Sequence, residues 1–142
     1  MIHLLSATVE RWPVAGAFII SRGAKTDVDV VVCTVGDGTY VGRGEGTAIY
    51  YEGETAEGCA AAIRAYAGPL DRQALLKHMP RGAARNALDC ALWDLEAKRA
   101  GAPVWQLAGL RQPAPLPTAF TISLGDPATM EAAARTAAGR GF

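Results

Sequence analysis

Residues 83–100, AARNALDCALWDLEAKRA, contain neither proline nor glycine and are rich in Ala, Leu, Glu, Lys and Arg, the residues that cost least in a helix. Within them Ala84, Leu88, Ala91, Leu92 and Leu95 recur at helical spacing and mark one continuous buried stripe. Gly101 stands where a left-handed residue ends a helix, and Pro103 blocks its resumption. At 1.5 Å per residue such a helix is about 27 Å long, enough to cross a small domain. Arg85 with Asp89, and Asp94 with Lys98, fall at i, i+4 on its wetter sides. Asp89 and Asp94 read as caps, ion-pair partners or packing determinants, since a carboxylate on a core helix usually pairs or faces solvent.

The composition of the whole 142-residue chain supports a folded domain around that helix. Half the residues are hydrophobic and 20% are charged, with 14 acidic and 14 basic residues and no formal net charge. This is globular rather than disordered, with no basic footprint for nucleic acid and no Lys/Arg run for a membrane surface. Cys33, Cys59 and Cys90 are odd in number and far apart, so they read as reduced, mostly buried thiols in a cytoplasmic protein. The opening MIHLLSATVERW has no basic segment followed by a long apolar run, so no signal peptide is expected.

Taken in order, residues 2–13 read as a first strand closed by Pro13, and 14–26, with its glycines and small residues, as a mobile loop. The β-branched stretch 27–35 is a second strand, Gly36-Asp37-Gly38 a turn, and 39–42 the start of a returning strand. Residues 42–53 read as a second glycine-rich loop. Thr55 can cap a helix over 56–67 that Gly68-Pro69 ends, and Asp71 another over 72–79. A helical turn at 104–108 follows the long helix. Residues 111–117 hold three prolines and form a stiff connector. Beyond it 116–124 reads as a strand, and Asp126-Pro127 as a cap and first position of a helix over 128–139. The expected fold is α+β, with a three-stranded antiparallel sheet packed on helices and a βα unit at the end.

The pattern A-x-x-A-L-D-x-A-L-W-D-L-x-A-K followed by G-x-P-x-x-x-L-x-G, present here from Ala84 to Gly109, resembles the end of the capping domain in the mandelate-racemase and muconate-lactonising branch of the enolase superfamily. The resemblance implies an enolase-like N-terminal capping domain over 1–110, a proline-rich linker at 111–117, and at 118–142 the first strand and helix of a truncated TIM-type β/α barrel. It further implies an isomerase: the N-terminal part of a Mg²⁺-dependent dipeptide epimerase, which inverts the carbon beside a carboxylate through an enediolate. In such enzymes the catalytic lysines and metal ligands belong to the barrel, so this chain is expected to carry no catalytic residue and no metal ligand. The implied partner is a small carboxylate, a dipeptide, in a cytoplasmic homo-oligomer. o-Succinylbenzoate synthases and muconate cycloisomerases are similar in this half. A catalytically inactive stand-alone capping or interaction domain, or a split subunit, remains the alternative.

The resemblance also implies substrate contacts. Phe18-Ile19-Ile20-Ser21-Arg22-Gly23 is similar to the F-x-x-S-R-G of dipeptide epimerases, where the arginine faces substrate. A guanidinium between small residues suits a bidentate grip on a carboxylate. Arg22, with Phe18, is therefore a candidate substrate-binding residue, and so is Thr121, which falls where such relatives carry a threonine at the end of the first barrel strand. Arg22 also reads as a solvated surface arginine, and Thr121 as a strand former. Arg43 replaces a tryptophan of many relatives, and 48–54 keeps a G-E ending but lacks their proline and arginine while gaining Glu52. These differences leave open a substrate other than Ala-Glu. His3 and His78 are isolated and read as structural or surface residues.

Overall fold

The computed structural model describes residues 1–21 and 23–142. Three antiparallel strands run in the order β1 (His3–Ile20), β2 (Gly23–Gly36), β3 (Val41–Gly46). Five helices follow: α1 (Ala56–Ala65), α2 (Arg72–His78), α3 (Ala83–Ala100), α4 (Val104–Leu107) and α5 (Pro127–Gly139). A 3₁₀ turn occupies Tyr50–Glu52. The chain divides into two compact units. One comprises Met1–Trp12 with Asp29–Pro113, the other Pro13–Val28 with Ala114–Phe142.

In the first unit α3 has the expected length, and its stripe is the centre of the core. Ala87, Leu88, Ala91, Leu92 and Leu95 are wholly buried against Val31, Cys33 and Val35 of β2, Ile63 of α1 and Leu75 of α2. Gly101 ends the helix at φ 61°, its amide donating to the Lys98 carbonyl. Burial lifts the Cys33 thiol to about 12, so it is a packing residue rather than a nucleophile. Cys59 is buried as well, while Cys90 is exposed.

Two expectations for the sheet need correction. Residues 14–20 are not a loop: β1 continues through Pro13 to Ile20, and β2 begins at Gly23. Pro13 does not close β1, because β1 is an edge strand, where a proline nitrogen on the unpaired side costs no ladder bond. Residues 15–20 are exposed on both faces, so no alternation marks them as strand. Nor do residues 42–46 belong to a loop. They form β3, in register with β2 from Gly36↔Val41 to Val31↔Gly46.

The inward positions of β3 are Gly42, Gly44 and Gly46, each buried, while Val41, Arg43 and Glu45 are exposed. A Cβ on Gly44 would lie 2.5 Å from Ala91 N and 2.8 Å from Cys90 Cβ, and closer still to the Ala87 carbonyl oxygen. One on Gly42 would lie 2.6 Å from Leu95 N. The backbone of α3 therefore rests directly on β3. The free edge of β3 is met by side chains of the same helix. Lys98 Nζ donates to Val41 O (2.8 Å), Arg43 N donates to Asp94 Oδ2 (2.8 Å), and Asn86 Nδ2 donates to Glu45 O (3.2 Å). Asp94 also accepts from Lys98 Nζ at 2.7 Å. An edge strand is thereby denied to other chains.

On the opposite sheet face the Arg43 guanidinium pairs with Glu10 of β1 at 3.2 Å, which spans the central strand. Arg43 thus lies on a strand of the sheet rather than in a loop. Arg64 Nη1 ties α1 to the Ala7 carbonyl (2.6 Å), and Arg72 ties α2 to α3 through Glu96 (2.9 Å) and by lying 3.3 Å over the Trp93 ring. α1 ends two residues earlier than expected. Tyr66 leaves the helix and donates its hydroxyl to Pro69 O at 3.2 Å.

In the second unit, Asp126 caps α5 through Thr129 N (3.0 Å), with proline at the first helical position. The expected strand at 116–124 is not formed as a ladder: these residues carry no strand assignment. Leu124 N makes one backbone bond, to Ile19 O at 2.9 Å. An extended segment becomes a strand only through successive partners. Among the described residues no helix is long and apolar enough to cross a membrane.

Gly44→Ala should destabilise the chain by about 3 kcal/mol or more, since the new methyl meets backbone that cannot yield. A urea midpoint equal to wild type would show that glycine does not set the spacing of α3 and β3. Burial pushes the Asp94 carboxyl up, but its bonds from Lys98 and the Arg43 amide outweigh that and hold it below the usual range. Its contribution is therefore complete above the unfolded carboxylate value and vanishes as pH falls through the lowered folded value. Asp94→Asn should cost about 1 kcal/mol at pH 7, and its stability should converge on that of wild type as pH falls through the lowered folded value when urea midpoints are compared.

Candidate functional site

The exposed end of the β1–β2 arm carries Phe18, Ile19 and Ile20, each more than a third exposed, with no core packing to hold it. Its ties run to the segment after the prolines, in the same unit. Ser123 Oγ donates to Ala17 O (2.8 Å) and accepts from Ile19 N (3.4 Å), beside the Leu124–Ile19 bond. Phe18 sits between the two bonded residues. Thr121, two residues before Ser123, is exposed. The structure thus places Phe18 and Thr121 on two segments joined by one backbone bond and the Ser123 hydroxyl, and Arg22 lies outside the described residues.

In the first unit the segment after β3 presents Tyr50 and Tyr51, 66% and 74% exposed, edge to face with centroids 5.3 Å apart. Sequence reasoning overlooked what anchors it. Glu54 Oε2 accepts from Ile49 N (2.8 Å), and Oε1 accepts from Ala83 N (2.9 Å), the first residue of α3. Gly82, at the cap position of α3, has no side chain to offer, so Glu54 supplies the missing acceptor from a distant segment and places its charge at the positive helix end. A long helix preceded by glycine, with no Ser, Thr, Asp or Asn at its cap, was the signal available in the sequence.

An open cleft of about 460 Å³ lies beside this anchor, lined by Thr47, Ile49, Leu76, Arg85, Asn86 and Asp89. Burial raises the Asp89 carboxyl; the Arg72 charge opposes that shift, Glu96 reinforces it, and Arg85 and the Trp93 indole bond oppose it. Asp89 therefore serves as a half-buried partner of the α2–α3 contact. His3 and His78 are exposed. Among the described residues no group of three or more His, Cys, Asp or Glu could hold a metal. The described side chains can bind, orient and exclude water, but among them there is no ligand set for Mg²⁺.

A three-stranded antiparallel sheet with a long helix resting on the glycines of its edge strand is the architecture of a capping domain. Residues 3–109 match the N-terminal domain of the mandelate racemase / muconate lactonizing enzyme family, and the chain belongs to that family. It is 38% identical over 131 residues to an L-Ala-D/L-Glu epimerase from Escherichia coli K12, covering 89% of this chain and 41% of that protein. A solved enolase-family structure from Agrobacterium tumefaciens, described as having homology to dipeptide epimerases and holding sodium and L-Ala-L-Glu, is 52% identical. Its TM-score is 0.83, over 96% of this chain and 43% of that one. A dipeptide epimerase from Methylococcus capsulatus, complexed with Mg and L-Arg-D-Lys, is 27% identical with a TM-score of 0.74, over 100% of this chain and 43% of that one. The chain thus spans about two-fifths of the length of these relatives.

Glu54→Ala should cost about 1–2 kcal/mol by leaving the Ala83 and Ile49 amides without their acceptor. The loss should appear as a lower thermal midpoint and faster hydrogen exchange at Ala83. Unchanged exchange there would mean that water or another group caps α3 equally well.

Proposed function

We propose that this chain is the substrate-capping part of a Mg²⁺-dependent dipeptide epimerase, with 1–110 as the cap, 111–117 as a linker and 118–142 as the first βα unit of the barrel. The observation that carries this reading is the 52% identity, across 96% of the chain, to a structure that holds L-Ala-L-Glu. In it Arg22 grips the terminal carboxylate of the dipeptide through paired N–H donors. Phe18 forms an apolar wall on its exposed arm, and Thr121 offers a hydroxyl from the segment bonded to that arm. Mg²⁺, when bound, supplies charge that stabilises the enediolate, and among the described residues no set fits it. The proton at the α-carbon is moved by groups outside these 142 residues; the part played here is orientation and exclusion of water. Reduced cysteines accord with a cytoplasmic home, and self-association of the complete polypeptide is part of the same reading.

The test is solvent deuterium exchange at the α-carbon, followed by NMR. A panel of dipeptides with acidic, basic and apolar C-terminal residues would be offered to the polypeptide isolated from its source cells, with Mg²⁺ and then with EDTA. The expected result is Mg²⁺-dependent exchange by that polypeptide and none by the 142-residue chain alone. Arg22→Ala should lower kcat/KM about 100-fold, from loss of a bidentate charged contact. Exchange catalysed by the 142-residue chain would overturn this placement of the chemistry. A source polypeptide that exchanges no dipeptide, or whose mass is that of 142 residues, would favour an interaction module.

A further inference from the structure

We propose that Ser123 is a positioning residue, whose hydroxyl locks the exposed arm carrying Phe18 to the segment carrying Thr121. A serine hydroxyl has one hydrogen to give and lone pairs to accept with, and both capacities are used here on one short stretch of backbone. Its hydrogen goes to Ala17 O at 2.8 Å, and its oxygen takes Ile19 N at 3.4 Å. The two groups flank Phe18, so one side chain brackets that residue. The neighbouring Leu124 N–Ile19 O bond, 2.9 Å, prevents the two segments from sliding.

The arm needs such a lock because burial does not provide one. Residues 15–20 are all exposed, and a two-stranded arm without an apolar face is only marginally ordered. Hydrogen bonds at its end therefore decide where Phe18 stands. A displacement of about an ångström in a substrate-positioning group is enough to cost binding or rate. Ser123 touches no substrate in this scheme and acts through the arm. Its consequence for substrate rests on the epimerase reading, whereas the lock itself does not.

Two measurements on Ser123→Ala and Ser123→Thr test this. In the 142-residue chain, hydrogen exchange at Ile19 should accelerate about tenfold in Ser123→Ala, the scale of one lost hydrogen bond. Ser123→Thr, which keeps the hydroxyl, should restore it, and the core amides of Val31 and Leu92 should be unchanged in both. In the source polypeptide, Ser123→Ala should raise KM for the dipeptide about tenfold with kcat within about twofold, as expected when uniform binding is lost. Ser123→Thr should recover most of that. Unchanged exchange at Ile19 in Ser123→Ala would overturn the lock. Faster exchange with an unchanged KM would overturn its bearing on substrate. A wild-type polypeptide that turns over no dipeptide would overturn the epimerase reading and that bearing with it, while exchange at Ile19 still decides the lock.

Discussion

Helix α3 lies against β3 with no side chain between them at Gly42, Gly44 and Gly46, and the rest of the first unit follows from that approach. With the inward positions of β3 empty, the helix axis comes within reach of the strand edge. Lys98, Asp94 and Asn86 can then meet Val41 O, Arg43 N and Glu45 O. A larger residue at any of the three glycines would lift the helix away and leave those edge groups without these partners. Close packing and edge satisfaction are therefore one interaction seen from two sides.

That geometry also gives physical meaning to the polar residues of the long helix. Asp94 and Lys98 form an i, i+4 pair, but the pair matters less as an exposed ion pair than as a clamp whose oxygen and nitrogen both reach β3 backbone. Trp93 supplies the ring beneath Arg72, which docks α2. Glu54 performs the corresponding service at the other end, capping α3 while holding the Ile49 amide behind the two exposed tyrosines. Each contact is modest by itself, and together they fix the helix in rotation as well as in place.

Much of this was legible in the residues. The extent of α3, its stripe, the caps at Thr55, Asp71 and Asp126, and the turn at Asp37 all depend on neighbours within four positions, where periodicity and side-chain hydrogen bonding are strong signals. The errors share one cause. Residues 42–46 looked like a loop because their inward positions are glycines, and residues 14–20 looked like a loop because neither face is buried. Both are strands made by partners distant in sequence. Residues 116–124 failed in the opposite sense: β-prone residues formed no ladder without successive partners. Of the candidate site, Phe18 and Thr121 were visible as residue types in a family pattern. Ser123 and Glu54 were not, because their roles consist of bonds across 104 and 29 positions.

By itself the sequence determined the extent of α3, which of its residues are apolar, and the caps that begin the neighbouring helices. These are properties of local spacing and residue type. Tertiary structure alone decided that a glycine-rich stretch is a strand under a helix, that Arg43 pairs with Glu10 across the sheet, and that one serine hydroxyl brackets Phe18. Those outcomes depend on which backbone groups meet in space, and a donor or acceptor carries no mark in the sequence of the partner that will satisfy it.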